Sequence, residues 1–400
     1  MRLFTLTSDL HGELAQNAHN EQFIKDIEAA VGAPFDYCGT DFTDFGAVGD
    51  VIYVRTGGTE GLFKQVFEGH EGARVRLLTS GQSNSLAASM EILSWLNQQD
   101  LGGEILHGSV AEIASELLRY YPRGVRRRPP LVEPFADFGI LEGKRYGVVG
   151  RPSDWLISSA VDYDKARDIL GAVLIDIPIE ELISAVRNPA PTRQKGMPEL
   201  KPLNTPKFGR PIGEKDFDLS LAIYRALKGI MIKYSLSGLT LRCFDLLTAL
   251  GSTGCLALSM LNSEGYIATC EGDVPAMLSM AVVRKRTGKS GFQANLSRID
   301  GSGYLFAHCT VPLDMTQDYC YDTHFESGIG VAVHGELPAG AARLFKISAD
   351  LERCIDVPVE IAGNSYADLL CRTQVLVRGP EALRSYFLRG PLGNHHIIAV

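Results

Sequence analysis

Apolar positions in the first third of the chain fall into short runs, each followed by a stretch in which they recur at helical spacing. The run RLFTLTS (2–8) precedes EQFIKDIEAAVG (21–32), and VIYVRTGG (51–58) precedes EGLFKQVFEG (60–69). RVRLLTS (74–80) precedes SLAASMEILSWLNQQ (85–99), and GEILHG (103–108) precedes VAEIASELLRYY (110–121). Four β-rich runs, each followed by an amphipathic stretch, predict βα units on a parallel sheet. Residues 123–138, rich in Pro and Arg, read as a boundary.

A second α/β unit opens with KRYGVVG (144–150), and AVLIDI (172–177) follows as a strand before a helix over 179–186. Residues 188–213 hold six prolines and no periodicity, which fits either a lid or an exposed connector. A helix capped by Asp216 is predicted up to about Gly238. Strand LTLRCF (239–244) then ends at Asp245, and an apolar helical stretch covers 246–262. Strand YIATC (266–270) ends at Glu271, and Pro275 opens the next helix. After YLFAHCTVP (304–312), alternation and turn signals predict antiparallel strands to the terminal GNHHIIAV (393–400). The expected fold class is therefore α/β, with two Rossmann-like parallel-sheet domains and a β-rich C-terminal domain. The expected boundaries are 1–138, 139–237 with the Pro-rich loop 188–213, and 238–400.

Composition narrows the function. A length of 400 residues with 45% hydrophobic content supports more than one domain, and a net charge of −8 leaves no footprint for nucleic acid. No run approaches a membrane span, and the N-terminus turns acidic too early for a signal peptide. Eight scattered cysteines without a C-x-x-C pair read as free thiols of a reducing compartment, so a cytoplasmic protein is expected. TGKSG (287–291) follows a helix and lacks the earlier glycine of a phosphate loop, and no G-x-G-x-x-G follows a strand. TGGTEG (56–61) is a ligand-facing turn or a plain one. Asp9, His11 and Glu13 after the first strand read as a solvated loop.

Two strands end in acids, Asp245 and the pair Glu271/Asp273. A third brings His308, and the C-terminus brings His395 and His396. Carboxyl ends of strands in α/β sheets are where sites form, and carboxylates with imidazole suit a divalent ion such as Mn²⁺, Mg²⁺ or Co²⁺. Each residue also has a plain structural reading. Asp273 and Asp245 are placed to cap helices, and His308 can be an ordinary core residue. Adjacent His395 and His396 point to opposite faces of a strand, so at most one enters a shared site.

LRCFDLL (241–247), SEGYIATCEGDVPAML (263–278), FAHC (306–309) and GNHHIIAV together resemble the L-fucose isomerase and L-arabinose isomerase superfamily, especially its fucose-isomerase-like branch. GVVGRPSDWLISSAVDYDKARDILG (147–171) is similar to the second domain of that branch, and TGGTE (56–60) to a first-domain loop. The resemblance implies a Mn²⁺-dependent aldose–ketose isomerase working through a cis-enediol, with a sugar substrate and a homo-oligomer whose sites lie near subunit contacts. It implies ligands and acid/base groups among Asp245, Glu271 and Asp273, a late histidine ligand at His395 or His396, and a further one near His308. Asp245 stands where the family's sugar isomerases carry glutamate. The alternatives are an isomerase of a sulfo- or deoxy-sugar and a non-catalytic sugar-binding or regulatory protein on the same scaffold.

Overall fold

The computed structural model describes residues 1–8, 18–119, 131–189 and 197–400. Asp9, His11 and Glu13, residues 123–130 of the expected boundary and residues 190–196 of the Pro-rich segment fall outside the described residues. The chain is mixed α/β, with two parallel sheets followed by a β-rich antiparallel part.

The first sheet holds β1 (Arg2–Leu6), β2 (Asp36–Gly39), β3 (Val51–Val54), β4 (Val75–Leu78) and β5 (Gly103–Leu106) in the order β2-β1-β3-β4-β5. Its helices are α1 (Gln22–Val31), α2 (Glu60–Phe67), α3 (Ser85–Gln98) and α4 (Val110–Leu118). The helix boundaries follow from local chemistry. Ser109 and Glu112 reciprocally cap the start of α4, and Gly32 ends α1 in the left-handed conformation. A two-residue strand, β6 (Glu133–Pro134), leaves this unit to pair with the far edge of the third sheet.

The second sheet contains β7 (Arg145–Val149), β8 (Val173–Ile177), β9 (Gly238–Leu241) and β10 (Ile267–Cys270), all parallel, in the order β10-β9-β7-β8. The boundary expected at 237/238 therefore falls inside a sheet, because β9 and β10 pair with the strands of the second unit. Around them lie the short α5 (Tyr163–Lys165) with a following π-turn, α6 (Ile179–Arg187), α7 (Glu214–Tyr234), α8 (Asp245–Leu250), α9 (Cys255–Ser263) and α10 (Val274–Thr287). Asp216 lies in the first turn of α7, where its carboxylate accepts the Gly213 N–H at 3.1 Å, rather than at the cap position. The apolar stretch 246–262 divides into α8 and α9, since Gly251 takes a left-handed φ of 66° and ends the first. Helix α10 is apolar on all sides because it is buried on all sides, from Val274 to Val283, between the second sheet and the third.

The third sheet closes on itself. Strands β11 (Gly291–Asp300), β12 (Gly303–His308), β15 (Gly340–Ile347), β16 (Arg353–Asn364), β17 (Thr373–Arg378) and β18 (His395–Ala399) pair antiparallel in one ring, β15 joining both β18 and β16. The hairpin of β13 (Asp318–Asp322) and β14 (Ala332–Glu336) packs outside it, and α11 (Ala382–Arg389) precedes β18. Residues 197–213 run without regular structure along this hairpin. The buried carboxylate of Asp322 accepts the N–H groups of Lys207, Phe208 and Gly209 at 2.8–3.1 Å, so this part of the Pro-rich segment is fastened down. Among the described residues, no helix is long and apolar enough to cross a membrane.

Candidate metal centre

The site forms where the edge strand of the second sheet meets the barrel. Gln293 of β11 replaces a missing strand beside β10: its side-chain oxygen accepts the Cys270 N–H at 2.8 Å, and its amide reaches the Cys270 carbonyl at 3.4 Å. One residue later the chain leaves the strand through two consecutive left-handed residues, Glu271 (φ 66°) and Gly272 (φ 69°). Glycine is required at 272. A Cβ there would lie 2.5 Å from the Arg151 carbonyl oxygen, and glutamate at 271 already holds a conformation that side chains disfavour. The turn aims Glu271 into the gap between sheet and barrel and delivers Asp273 to the start of α10.

Two histidines arrive from the barrel. Asn295 of β11 pairs with Ala307 on one side and His395 on the other, so the start of β18 lies level with the end of β12. The rings of His308 and His395 are then 5.3 Å apart. His395 Nε2 lies 3.4 Å from Glu271 Oε1, and His308 Nε2 lies 3.7 Å from the same oxygen. Both Nε2 atoms are buried with no hydrogen-bond partner among the described residues. One atom each of Glu271, His308 and His395 falls within 4.8 Å of the others, a grouping that could hold a metal ion.

The surroundings fix how these groups point. His395 Nδ1 bonds Asp273 Oδ2 at 2.8 Å, which aims Nε2 at Glu271, and His308 Nδ1 meets Thr310 Oγ1 at 3.1 Å. A carboxylate behind an imidazole is the usual way a ligating histidine is oriented. The other oxygen of Asp273 accepts the Ala276 N–H at 2.7 Å, so the residue caps α10 as well. Trp155 Nε1 donates to Glu271 Oε2 at 2.7 Å. Lys346, fully buried, places its ammonium 3.7 Å from Asp273 without a hydrogen bond.

These contacts shape the charges. Burial alone would raise Glu271, but His395 and His308 outweigh it and hold its carboxyl well below the usual range. Burial likewise opposes ionisation of Asp273, and Lys346 and His395 reverse the effect. For His395 burial disfavours the cation, yet Glu271 and Asp273 lift it to about 9. The pocket thus holds a positive charge beside two carboxylates, and a divalent cation that displaces the proton would meet the same field.

The remaining expected residues lie elsewhere. His396 points to the opposite face of β18, where Nδ1 donates to the Asn394 carbonyl at 3.1 Å and Nε2 accepts from Tyr386 OH at 2.8 Å. Burial and the nearby Lys346 push it down to about 3, so it is a neutral core residue. Asp245 begins α8 and pairs with Arg242 three residues earlier, at 3.0 Å, and it is outside the Glu271–His308–His395 group. Arg242 in turn binds Asp154 at 2.7 Å. Sequence reasoning passed over Trp155 and Glu91. Glu91 of α3 accepts Ser158 N at 2.7 Å and Ser159 Oγ at 3.0 Å on one oxygen, and Asn394 N at 3.1 Å on the other. Asn394 Oδ1 accepts the His395 N–H at 2.7 Å, so a first-sheet helix steadies the strand that carries His395. Only the hydrophilic Glu91 inside an otherwise apolar helix face (SLAASMEILSWLNQ) hinted at this.

No family model matches the chain. Two curated relatives, sulfoquinovose isomerase of Priestia aryabhattai and sulfoquinovose isomerase of Priestia megaterium, are each 23% identical to it over 213 residues. The match covers 51% of this chain and 47% of each relative, so the chain spans about half the length of the curated relatives it matches. The similarity is to sugar isomerases, and it does not single out the fucose-isomerase branch.

Proposed function

We propose that this protein is an aldose–ketose isomerase of a modified sugar, of the sulfo-sugar kind, with a divalent cation at Glu271, His308 and His395. The observation that carries the reading is the convergence of two unpartnered, buried imidazole Nε2 atoms on one carboxylate oxygen. Burying unpaired polar atoms is costly, and a shared cation would satisfy all three at once. The names of the relatives favour a sulfo-sugar over the neutral sugars that the fucose and arabinose isomerase resemblance suggested.

The donor set fits the group. Two imidazoles and one carboxylate suit Mn²⁺ or Co²⁺ better than Mg²⁺, which prefers oxygen alone. Such an ion, when bound, draws electron density from a carbonyl and an adjacent hydroxyl and so eases removal of the proton between them. The chain's own residues supply the rest. Asp273 fixes the tautomer of His395, Trp155 fixes the rotamer of Glu271, and Phe244, 4.9 Å from Trp155 edge to face, forms an apolar wall beside them. In the reaction the C2–H electron pair becomes the C1–C2 double bond and the C1 carbonyl pair moves onto O1. The O2 proton passes to O1, and a proton returns to C1.

Elemental analysis after Mn²⁺ loading and dialysis, with sulfoquinovose, L-fucose and L-arabinose offered in D₂O, tests both halves. Near one Mn²⁺ per chain and deuterium in the ketose and recovered aldose from sulfoquinovose are expected. Metal binding without exchange from any of the three would remove the isomerase and leave a sugar-binding protein on this scaffold.

A further inference from the structure

The proton that moves between C2 and C1 needs a carrier; Glu271, Asp273 and Glu91 are already committed, and Glu60 is sealed from solvent at 2% exposure. Glu271 presents one oxygen to the two histidines and gives the other to Trp155. Asp273 divides its oxygens between Ala276 N–H and His395, and Glu91 divides its own between the Ser158/Ser159 loop and Asn394. A general base needs an oxygen within reach of the proton it abstracts, and these three have theirs turned to other partners.

Among the described residues, Glu326 is held at one oxygen. It sits in the loop joining β13 to β14, deep in the protein yet still partly accessible, and its Oε1 accepts from Asn84 Nδ2 at 2.8 Å. The loop is rigidly built: Gly328 N–H donates to the His324 carbonyl at 2.9 Å, and His324 N–H to the Ile329 carbonyl at 3.1 Å. Two residues before Glu326, His324 begins a line of contacts that ends at Glu271. The His324 ring meets Phe244 at 5.6 Å, Phe244 meets Trp155, and Trp155 bonds Glu271. Asn84 comes from the first sheet's unit, at the start of α3. It has a left-handed φ of 59° and is packed so closely on the TGGTEG turn that a Cβ on Gly57 would come within 2.9 Å of its own.

We propose that Glu326 is the catalytic acid/base of this site, steered across the unit boundary by Asn84, with Glu271 and the histidines left to hold the cation. The proposal rests on the isomerase reading. As carboxylate, Glu326 takes the C2 proton of the aldose while the C–H pair forms the double bond. As carboxylic acid, after partial exchange of its proton with solvent, it delivers a proton to C1 while the O2 proton passes to O1 and the O2 pair closes the new carbonyl, so no further reactant is needed. The groups whose charge reaches Glu326 are Glu271 of the β10 turn, Glu60 at the start of α2 and the Cys309 thiol after β12. Burial first, then the Glu271 charge, lift it to about 7; a cation held by Glu271 would offset the second cause and leave the first.

The test uses the Mn²⁺-loaded full chain and compares Glu326→Gln, Glu326→Asp and Asn84→Asp with the parent. Glu326→Gln should lower deuterium exchange and ketose formation by about 10²–10⁴-fold at unchanged Mn²⁺ affinity, with Glu326→Asp between the two. Asn84→Asp sets a like charge against Glu326 and should move the acid limb of the pH–kcat profile to higher pH. Turnover within about threefold of the parent in Glu326→Gln, loss of Mn²⁺ from it, or an unmoved acid limb in Asn84→Asp would each overturn the assignment. A parent inactive on all three sugars would instead sink the isomerase reading, and the proposal with it.

Discussion

Asp273 has two oxygens, and they act separately, one capping α10 and the other orienting His395. The sequence presents capping and site chemistry as rival readings, and the structure shows a single side chain able to do both. Asn in its place would separate the two. Its carbonyl oxygen still caps a helix, but its NH₂ would face His395 Nδ1 and favour the tautomer whose Nε2 carries a proton. Asp273→Asn should therefore weaken Mn²⁺ binding by about 10–100-fold while the thermal midpoint moves little. Mn²⁺ titration followed by paramagnetic resonance, beside a melt, checks it; equal affinity would mean that Asp273 is a cap alone. Other residues of this scale were legible to different degrees. His395 and His396 had to face opposite ways, which strand alternation dictates. Asp245 was drawn toward the site by its place after a strand, although Arg242 three positions earlier already offered it a partner. Glu326 and Asn84 are 242 positions apart in sequence and lie in loops, where no periodicity marks them.

At the level of elements, the turn after β10 decides where the site lies. It was legible as chemistry, because acids at the end of an apolar strand demand a reason, but not as geometry. The cause of its shape is the Arg151–Pro152 backbone that follows β7 in the same sheet, which sits where a side chain on residue 272 would be. Gly272→Ala should destabilise by more than the roughly 1–2 kcal/mol of left-handed backbone alone, since Arg151 must also retreat. The retreat would carry Trp155 off Glu271, so a drop in urea midpoint should come with a change in tryptophan fluorescence. A midpoint within about 0.5 kcal/mol of the parent would show that the turn has room to relax. Most parallel strands and their helices were readable from apolar period, but the half-buried β2 (Asp36–Gly39) was not. The closure of the last sheet was not, because nothing local tells β15 that both its edges find partners. The Pro-rich segment shows the same limit: its lack of period was visible, while its anchor, Asp322, lies over a hundred positions downstream.

Across the whole molecule, the site depends on how the first sheet's unit docks on the barrel, and His107 is a seam between them. Its Nδ1 donates to the Thr79 carbonyl at 3.1 Å, and its Nε2 accepts the Ile299 N–H at 3.0 Å. That N–H is available because β18 pairs with β11 only over Gly291–Asn295 and leaves the rest of that edge open. The bond accepted by Nε2 requires the neutral ring, and burial holds His107 at about 4 against about 6.5 in an unfolded chain. Between those values the unfolded chain binds a proton that the native one refuses, so stability falls as pH falls. The contribution is complete above about pH 6.5, and about 3 kcal/mol of it is lost by pH 4. His396, also held neutral at about 3, adds to the same trend, so a total slope cannot isolate the seam. The difference between the parent and His107→Gln can, because glutamine has no proton to gain. Urea midpoints at pH 7.5, 5.5 and 4.5 should show the parent losing stability faster than the variant as pH drops. If the two lose it in parallel, His107 does not set the acid limit and the seam opens for another reason. If they diverge as expected, acid loosens the first unit from the barrel, and with it the Glu91 support that steadies the strand carrying His395.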